Sequence, residues 1–156
     1  MSTANCNIST GLRTMRMTTG SMKTILDAGC IWVYSGAKPA DADSAVTGTL
    51  VGQVTKDGAA WVAGVSTNGL VFATPAVLGV MSKNTDVWKM VGKAIGTAGW
   101  ARFVGNPTDA GGASTVLPRI DFDVGTTSGV LQLTSTATTV GSITTIDTFS
   151  LVDATQ

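Results

Sequence analysis

The sequence contains no histidine and no glutamate; all 10 of its acids are aspartate. Without histidine, the chain lacks the side chain most often used as a general base near neutral pH and most often found on transition metals. Without glutamate it lacks a strong helix former, while threonine, its most frequent residue, favours strands. Charge is scarce as well: 13% of residues carry it, and the formal net charge is +0. Phosphate contacts need clustered Lys and Arg, so no nucleic-acid partner is expected. A free monomer relies on net charge to stay apart from its copies, so this neutral, Thr- and Ala-rich surface suits a protein packed in an assembly. An ordinary weakly charged domain is also compatible with it. No apolar run is long enough to cross a bilayer and no signal-peptide pattern opens the chain, so no membrane partner is expected and folding in a cytoplasm is. The two cysteines, Cys6 and Cys30, are read as reduced thiols, Cys30 at a buried strand start, with a Cys6–Cys30 disulfide as the open alternative.

What is present is enough for one folded domain. Over 156 residues, 44% are hydrophobic and the mean hydropathy is +0.30, which excludes a disordered chain. Residues 1–10 are small and polar, and read as an arm. Ser9 or Thr10 is positioned to cap a short helix through Met17, with Leu12, Met15 and Arg16 at helical spacing. Gly20 breaks it. Ser21 caps a second turn, Met22 to Leu26, which Asp27-Ala28-Gly29 ends. Residues 1–29 are therefore expected to form an N-terminal arm with one or two short helices, and residues 30–156 a β domain.

From Cys30 onward the pattern changes to strands and turns. Strands are predicted at Cys30–Tyr34, Leu50–Thr55, Leu70–Ala73, Val77–Met81, Trp100–Val104, Arg119–Val124, Val130–Leu133 and Ile143–Val152. Asp57-Gly58 and Asn68-Gly69 are turn signals. About eight short strands, with no helices between them, predict an all-β antiparallel sandwich or jelly roll.

Few motifs carry chemistry. Asp121 and Asp123 form a DxD pair, but alternation with Ile120, Phe122 and Val124 places both on what reads as the solvated face of a half-buried strand. Asp41-Ala42-Asp43 matches part of a calcium loop but lacks its glycine and terminal glutamate, so solvated turn acids are the preferred reading. Ser82-Lys83 is a Ser-Lys pair possible in principle, but adjacent residues on a strand face opposite ways. No glycine-rich loop opens a helix, and Asn7-Ile8-Ser9 is a glycosylation sequon without export. No catalytic residue, metal or cofactor is expected, and enzymatic activity is not. Trp32, Trp61 and Trp100 read as core or interface residues, while Trp88, in the polar stretch Asn84 to Lys89, is the candidate exposed contact. Met15, Met17 and Met22 interleave with Arg13, Arg16 and Lys23 in an unusually soft, basic segment. Two readings of it stay open. Its methionines adapt to a partner's surface, or Met15, Met22 and Leu26 cover the end of their own sandwich.

Several blocks carry a resemblance. They are Ser9-Thr10-Gly11-Leu12-Arg13, Ile25-Leu26-Asp27-Ala28-Gly29, Tyr34-Ser35-Gly36-Ala37-Lys38-Pro39-Ala40-Asp41-Ala42-Asp43 and Thr47-Gly48-Thr49-Leu50. Later blocks are Gly79 to Asn84, Gly96 to Phe103, Asp109 to Ser114, Pro118-Arg119-Ile120 and Thr145 to Phe149. In this order they span most of the chain, which resembles a family of small structural proteins encoded by tailed bacteriophages. The resemblance implies a non-enzymatic virion protein at the capsid surface, a decoration or cement subunit bridging the major capsid protein. It also implies association with sister copies, as a dimer or trimer. The contact candidates are Leu12, Arg13, Met15, Arg16, Met17, Met22, Lys23 and Trp88, with the arm reaching across to its neighbours. A place in the tail or neck, and a carbohydrate-binding sandwich using Trp88 or Trp61, are the alternatives.

Overall fold

Two serines start two helices. The Ser9 side chain accepts from the Leu12 amide and begins α1 (Thr10–Thr18); Ser21 accepts from Thr24 and begins α2 (Met22–Leu26). Both caps and the break at Gly20 follow the sequence expectation. The stop after α2 is different in detail. Ala28, not Gly29, takes the left-handed conformation, with φ 67. Glycine is required at 29 for space, since a Cβ there would lie 2.0 Å from the Val104 carbonyl oxygen.

The computed structural model describes residues 6–74 and 79–152. The expected break at Pro75 and the start of the Val77–Met81 strand lie outside the described residues, as do residues 1–5 of the expected arm. The fold is all-β, with eleven strands among the described residues where about eight were expected. They are β1 (Cys6–Ile8), β2 (Cys30–Ser35), β3 (Leu50–Lys56), β4 (Val80–Ser82), β5 (Trp88–Gly92) and β6 (Gly96–Val104). The remainder are β7 (Arg119–Gly125), β8 (Leu131–Gln132), β9 (Ala137–Thr138), β10 (Ile143–Ile146) and β11 (Ser150–Val152). The large sheet runs β1-β7-β6-β2-β3-β5-β10, with β8 beside β7 and β9 beside β6; β11 and β4 form a second, two-stranded sheet. All pairs are antiparallel except β7–β8.

Sequence reading missed β1, β5 and β9, joined β10 and β11 into one strand, and expected a strand at Leu70–Ala73, where the structure has isolated bridges at Leu70 and Phe72 instead. The interruption at Asp147-Thr148-Phe149 moves the chain from the large sheet to the small one. At Asp57-Gly58 the expected tight turn is present, with φ 55 and 71 at the two residues. The turn closes the end of β3, the Ala59 amide donating to the Lys56 carbonyl at 3.0 Å, and the chain then leaves the large sheet until β5.

Inside, Ile31, Val33, Val54, Trp88, Met90, Phe103, Ile120 and Phe122 of the large sheet are buried against Leu70, Phe72, Met81, Leu131, Leu133, Phe149 and Leu151. Phe149, in the β10–β11 link, is central: its ring centroid lies 5.4 Å from Phe122, 5.5 Å from Trp88 and 6.2 Å from Phe72.

Residues 6–29 do not form an arm. β1 pairs with β7, placing Cys6 opposite Phe122 and Ile8 opposite Ile120. Leu12 and Leu26 are fully buried in the main core, and Met15 and Met22 pack against it. Of the two readings of the methionine segment, covering its own core therefore describes Met15, Met22 and Leu26. Short helices are unstable alone, and burial of one apolar face is what holds them.

Candidate functional site

The second face of the large sheet carries the chemistry. On β2, Cys30, Trp32 and Tyr34 point there; on β6, Trp100, Arg102 and Val104; on β7, Arg119, Asp121 and Asp123. Register aligns them in rows. Trp32 lies beside Arg102, which lies beside Asp121, and Tyr34 lies beside Trp100. The loops before β3 and before β7 cover this face.

Two ion pairs are buried there. Arg102 grips Asp121 through one guanidinium edge, Nε to Oδ1 at 2.7 Å and Nη2 to Oδ2 at 2.8 Å, and Nη2 also donates to the Ser44 carbonyl at 3.0 Å. Arg119 holds Asp109 in the same forked way, both contacts at 2.6 Å. Asp109 also accepts from the Gly111 amide at 2.8 Å. The expectation that Asp121 faces solvent is wrong: it is fully buried. Alternation correctly placed Asp121 opposite the apolar core, but the loops carrying Ser44 and Asp109 cover that second face too. Burial pushes the Asp121 carboxyl up from its ordinary value, against the Arg102 hydrogen bonds that pull it down. Asp123 pairs instead with Lys38 at 3.3 Å, so the two aspartates share no ligand.

Beside these pairs lies an open cavity of about 180 Å³, bounded by Trp32, Tyr34, Leu50, Arg102 and Asp109. Tyr34 stacks on Trp100 at 4.7 Å, and the Arg102 guanidinium sits 5.7 Å from the Trp100 ring. Arg102 Nη1 has no hydrogen-bond partner, and the Trp100 π face beside it compensates part of its charge. Every oxygen of the two buried carboxylates is taken by a guanidinium, so neither is available to accept a proton from a bound molecule. The arrangement acts as a brace: Arg102 ties β6 to β7 and to the loop before β3, and Arg119 ties β7 to the loop that precedes it.

The acids of the Asp41-Ala42-Asp43 loop serve as turn and cap groups. Asp41 accepts from the Ser44 amide and hydroxyl, which holds its carboxyl below its ordinary value. Asp43 accepts from the Thr10 amide at 2.8 Å and hydroxyl at 2.6 Å, at the start of α1. A carboxylate there is favoured by the helix dipole.

The sequence-derived contact candidates divide into three groups. Arg13, Arg16 and Met17 are exposed on α1; Met17 is 87% exposed, and Arg13 donates to the Ile8 carbonyl at 3.0 Å. Met22 and Lys23 line an apolar cavity of about 220 Å³ between α2 and the small sheet, with Val80, Met81 and Leu151 on its other side. Lys23 is paired with Asp27 one turn on. Leu12 and Trp88 are in the core and are not surface contacts, and Met15 is half-buried and packs against that core. Trp88 was misplaced because residues Asn84 to Val87 read as a polar loop. They are one, closed by Asp86 on Asn84 and Lys56, but β5 begins immediately after it and turns Trp88 inward. With Trp88 buried, the sugar-stacking alternative retains only Trp61, which is anchored to the Ala28 carbonyl and meets Trp32 edge-on at 6.3 Å.

No protein-family model, curated protein or solved structure matches the chain. The site is therefore read from its own geometry. The buried pairs escaped sequence analysis because their partners are 10 and 19 residues apart on different segments. One signal pointed to them: an arginine inside the apolar strand Trp100–Val104 must find a carboxylate if it is buried.

Both thiols are free. Burial pushes Cys30 from an ordinary 9.0 to about 12, and Cys6 to about 11. A raised pKa keeps each thiol neutral in the folded state, while the unfolded chain ionises from pH 9.0 upward. Stability from these groups is thus complete below that pH and declines as pH rises toward 12. In native protein at pH 8, labelling of either cysteine by iodoacetamide should be at least about tenfold slower than in urea. Equal rates in both states would contradict this.

Proposed function

We propose that the chain is a non-enzymatic structural protein of a tailed-phage particle. It would be made in the host cytoplasm and act as a decoration or cement subunit on the capsid surface, bridging the major capsid protein and sister copies. The resemblance of the sequence blocks supports the class. The observation that carries the mechanism is Met17, 87% exposed on a helix whose other side is locked into the core through Leu12. A methionine held out beside exposed Arg13 and Arg16 gives an adaptable apolar contact with charge around it, on a rigid support in place of a flexible arm. No cofactor enters this mechanism; many weak contacts over many copies resist outward pressure on the shell.

Particles purified from cells carrying the gene in its native genome should contain the chain at hundreds of copies, a number set by shell symmetry. Tens of copies or fewer would place it in the tail or neck instead, and absence from particles would end the proposal. Met17→Asp should lower occupancy roughly tenfold without changing the melting temperature. Undiminished occupancy would rule out α1 as the gripping surface.

A further inference from the structure

The large sheet ends at β10, and nothing among the described residues pairs with the outer side of that strand. The Gly92 amide donates to the Ser142 carbonyl, and β10 pairs Thr144 with Met90 and Ile146 with Trp88. Hydrogen bonding in an antiparallel pair alternates, so Ser142, Thr144 and Ile146 bond inward to β5. The N–H and C=O groups of Ile143 and Thr145 therefore point outward.

Exposed edges are normally guarded by charge, proline or a bulge. This one is not. No charged residue occurs from Val124 to Ile146, and β10 itself reads Ile-Thr-Thr-Ile. Ile143 is 66% exposed, with Val140 at 72% and Ile95 at 81% at the same end of the sheet, where Thr138 bonds to the Ala94 carbonyl.

We propose that β10 pairs antiparallel with β10 of a second copy of this chain, around a two-fold axis at Thr144. In that register Ile143 of each copy faces Thr145 of the other, giving four main-chain hydrogen bonds, with the two Thr144 residues opposite each other. The register is self-complementary, as a two-fold interface requires. It also matches charge. Lys93 and Asp147 are both exposed and form no ion pair among the described residues. The register sets Asp147 opposite Gly141 of the other copy, whose amide bonds to the Gly92 carbonyl next to Lys93. Lys93 and Asp147 of opposite copies are then two strand spacings apart, about 10 Å, within the combined reach of their side chains on one face. This deepens the self-association named above, but its test is independent of whether the chain is found in particles.

An interface this small is weak, so association should appear between about 10 μM and 1 mM in sedimentation equilibrium. At high concentration the Ile143 and Thr145 amides should gain protection from hydrogen exchange. Thr145→Pro removes an outward N–H and leaves the β5 pairing intact; it should weaken association at least about tenfold. Ile143→Lys, at an exposed position, should do the same without relying on proline. Lys93→Asp should weaken it and Lys93→Asp with Asp147→Lys should restore it. A wild-type chain monomeric throughout that range, or association indifferent to Thr145→Pro and Ile143→Lys, would overturn the proposal. Protection of these amides appearing only when a different protein is added would overturn it too.

Discussion

Arg102→Met is expected to destabilise the protein by about 3–5 kcal/mol at pH 7, a large part of the stability of a domain this size. The loss comes from what remains behind. Asp121 keeps its fully buried position but loses both hydrogen bonds that hold its charge, at 2.7 and 2.8 Å. Its carboxyl is already pushed up by burial, and without Arg102 it rises further. A carboxyl with a raised folded pKa favours folding when protonated and disfavours it as pH rises through that value. The variant should therefore recover part of its deficit as pH falls toward about 4, where the unfolded aspartate also takes up its proton. Arg102→Met with Asp121→Leu, which removes both charges, should regain most of the loss. Urea denaturation of the three proteins at pH 7 and at acid pH measures each of these. A single variant within 1 kcal/mol of wild type, about the value of an exposed pair, would show that the brace does not carry load.

Leu12→Ala is expected to cost about 2–5 kcal/mol, because Leu12 has no exposed surface and its removal leaves a cavity between α1 and the sheet. The same reasoning bears on truncation. Removing residues 1–20 deletes β1, Leu12 and Ser9. Ser9 caps α1, its hydroxyl donates to the Leu117 carbonyl at 2.8 Å, and it accepts from the Arg119 amide at 2.9 Å. The truncated chain should show no cooperative unfolding transition, so loss of shell binding in such a chain would say nothing about an arm. Met17→Ala, on the same helix but exposed, should change stability by no more than about 0.5 kcal/mol. A truncated chain melting at the wild-type temperature would contradict this account.

What the sequence by itself determined was local. Ser9, Ser21 and Gly20 set the helix limits because capping and φ restrictions act within four residues. Asp57-Gly58 set a turn for the same reason, and Thr-, Val- and Ile-rich segments set the strand class. Alternation in Arg119–Val124 correctly separated Asp121 from Phe122. It did not tell whether the aspartate's face meets water, because that depends on loops 37–49 and 105–118 returning over it. Trp88 looked exposed beside polar neighbours, yet its strand lies between β3 and β10 and faces Phe149. Residues 6–8 looked like a tail, and become a strand only because β7, more than 110 residues later, offers an edge. Tertiary structure decided each of these, since burial, ion pairing and edge pairing are contacts between segments distant in the chain, and spacing along it carries no record of which segments will meet.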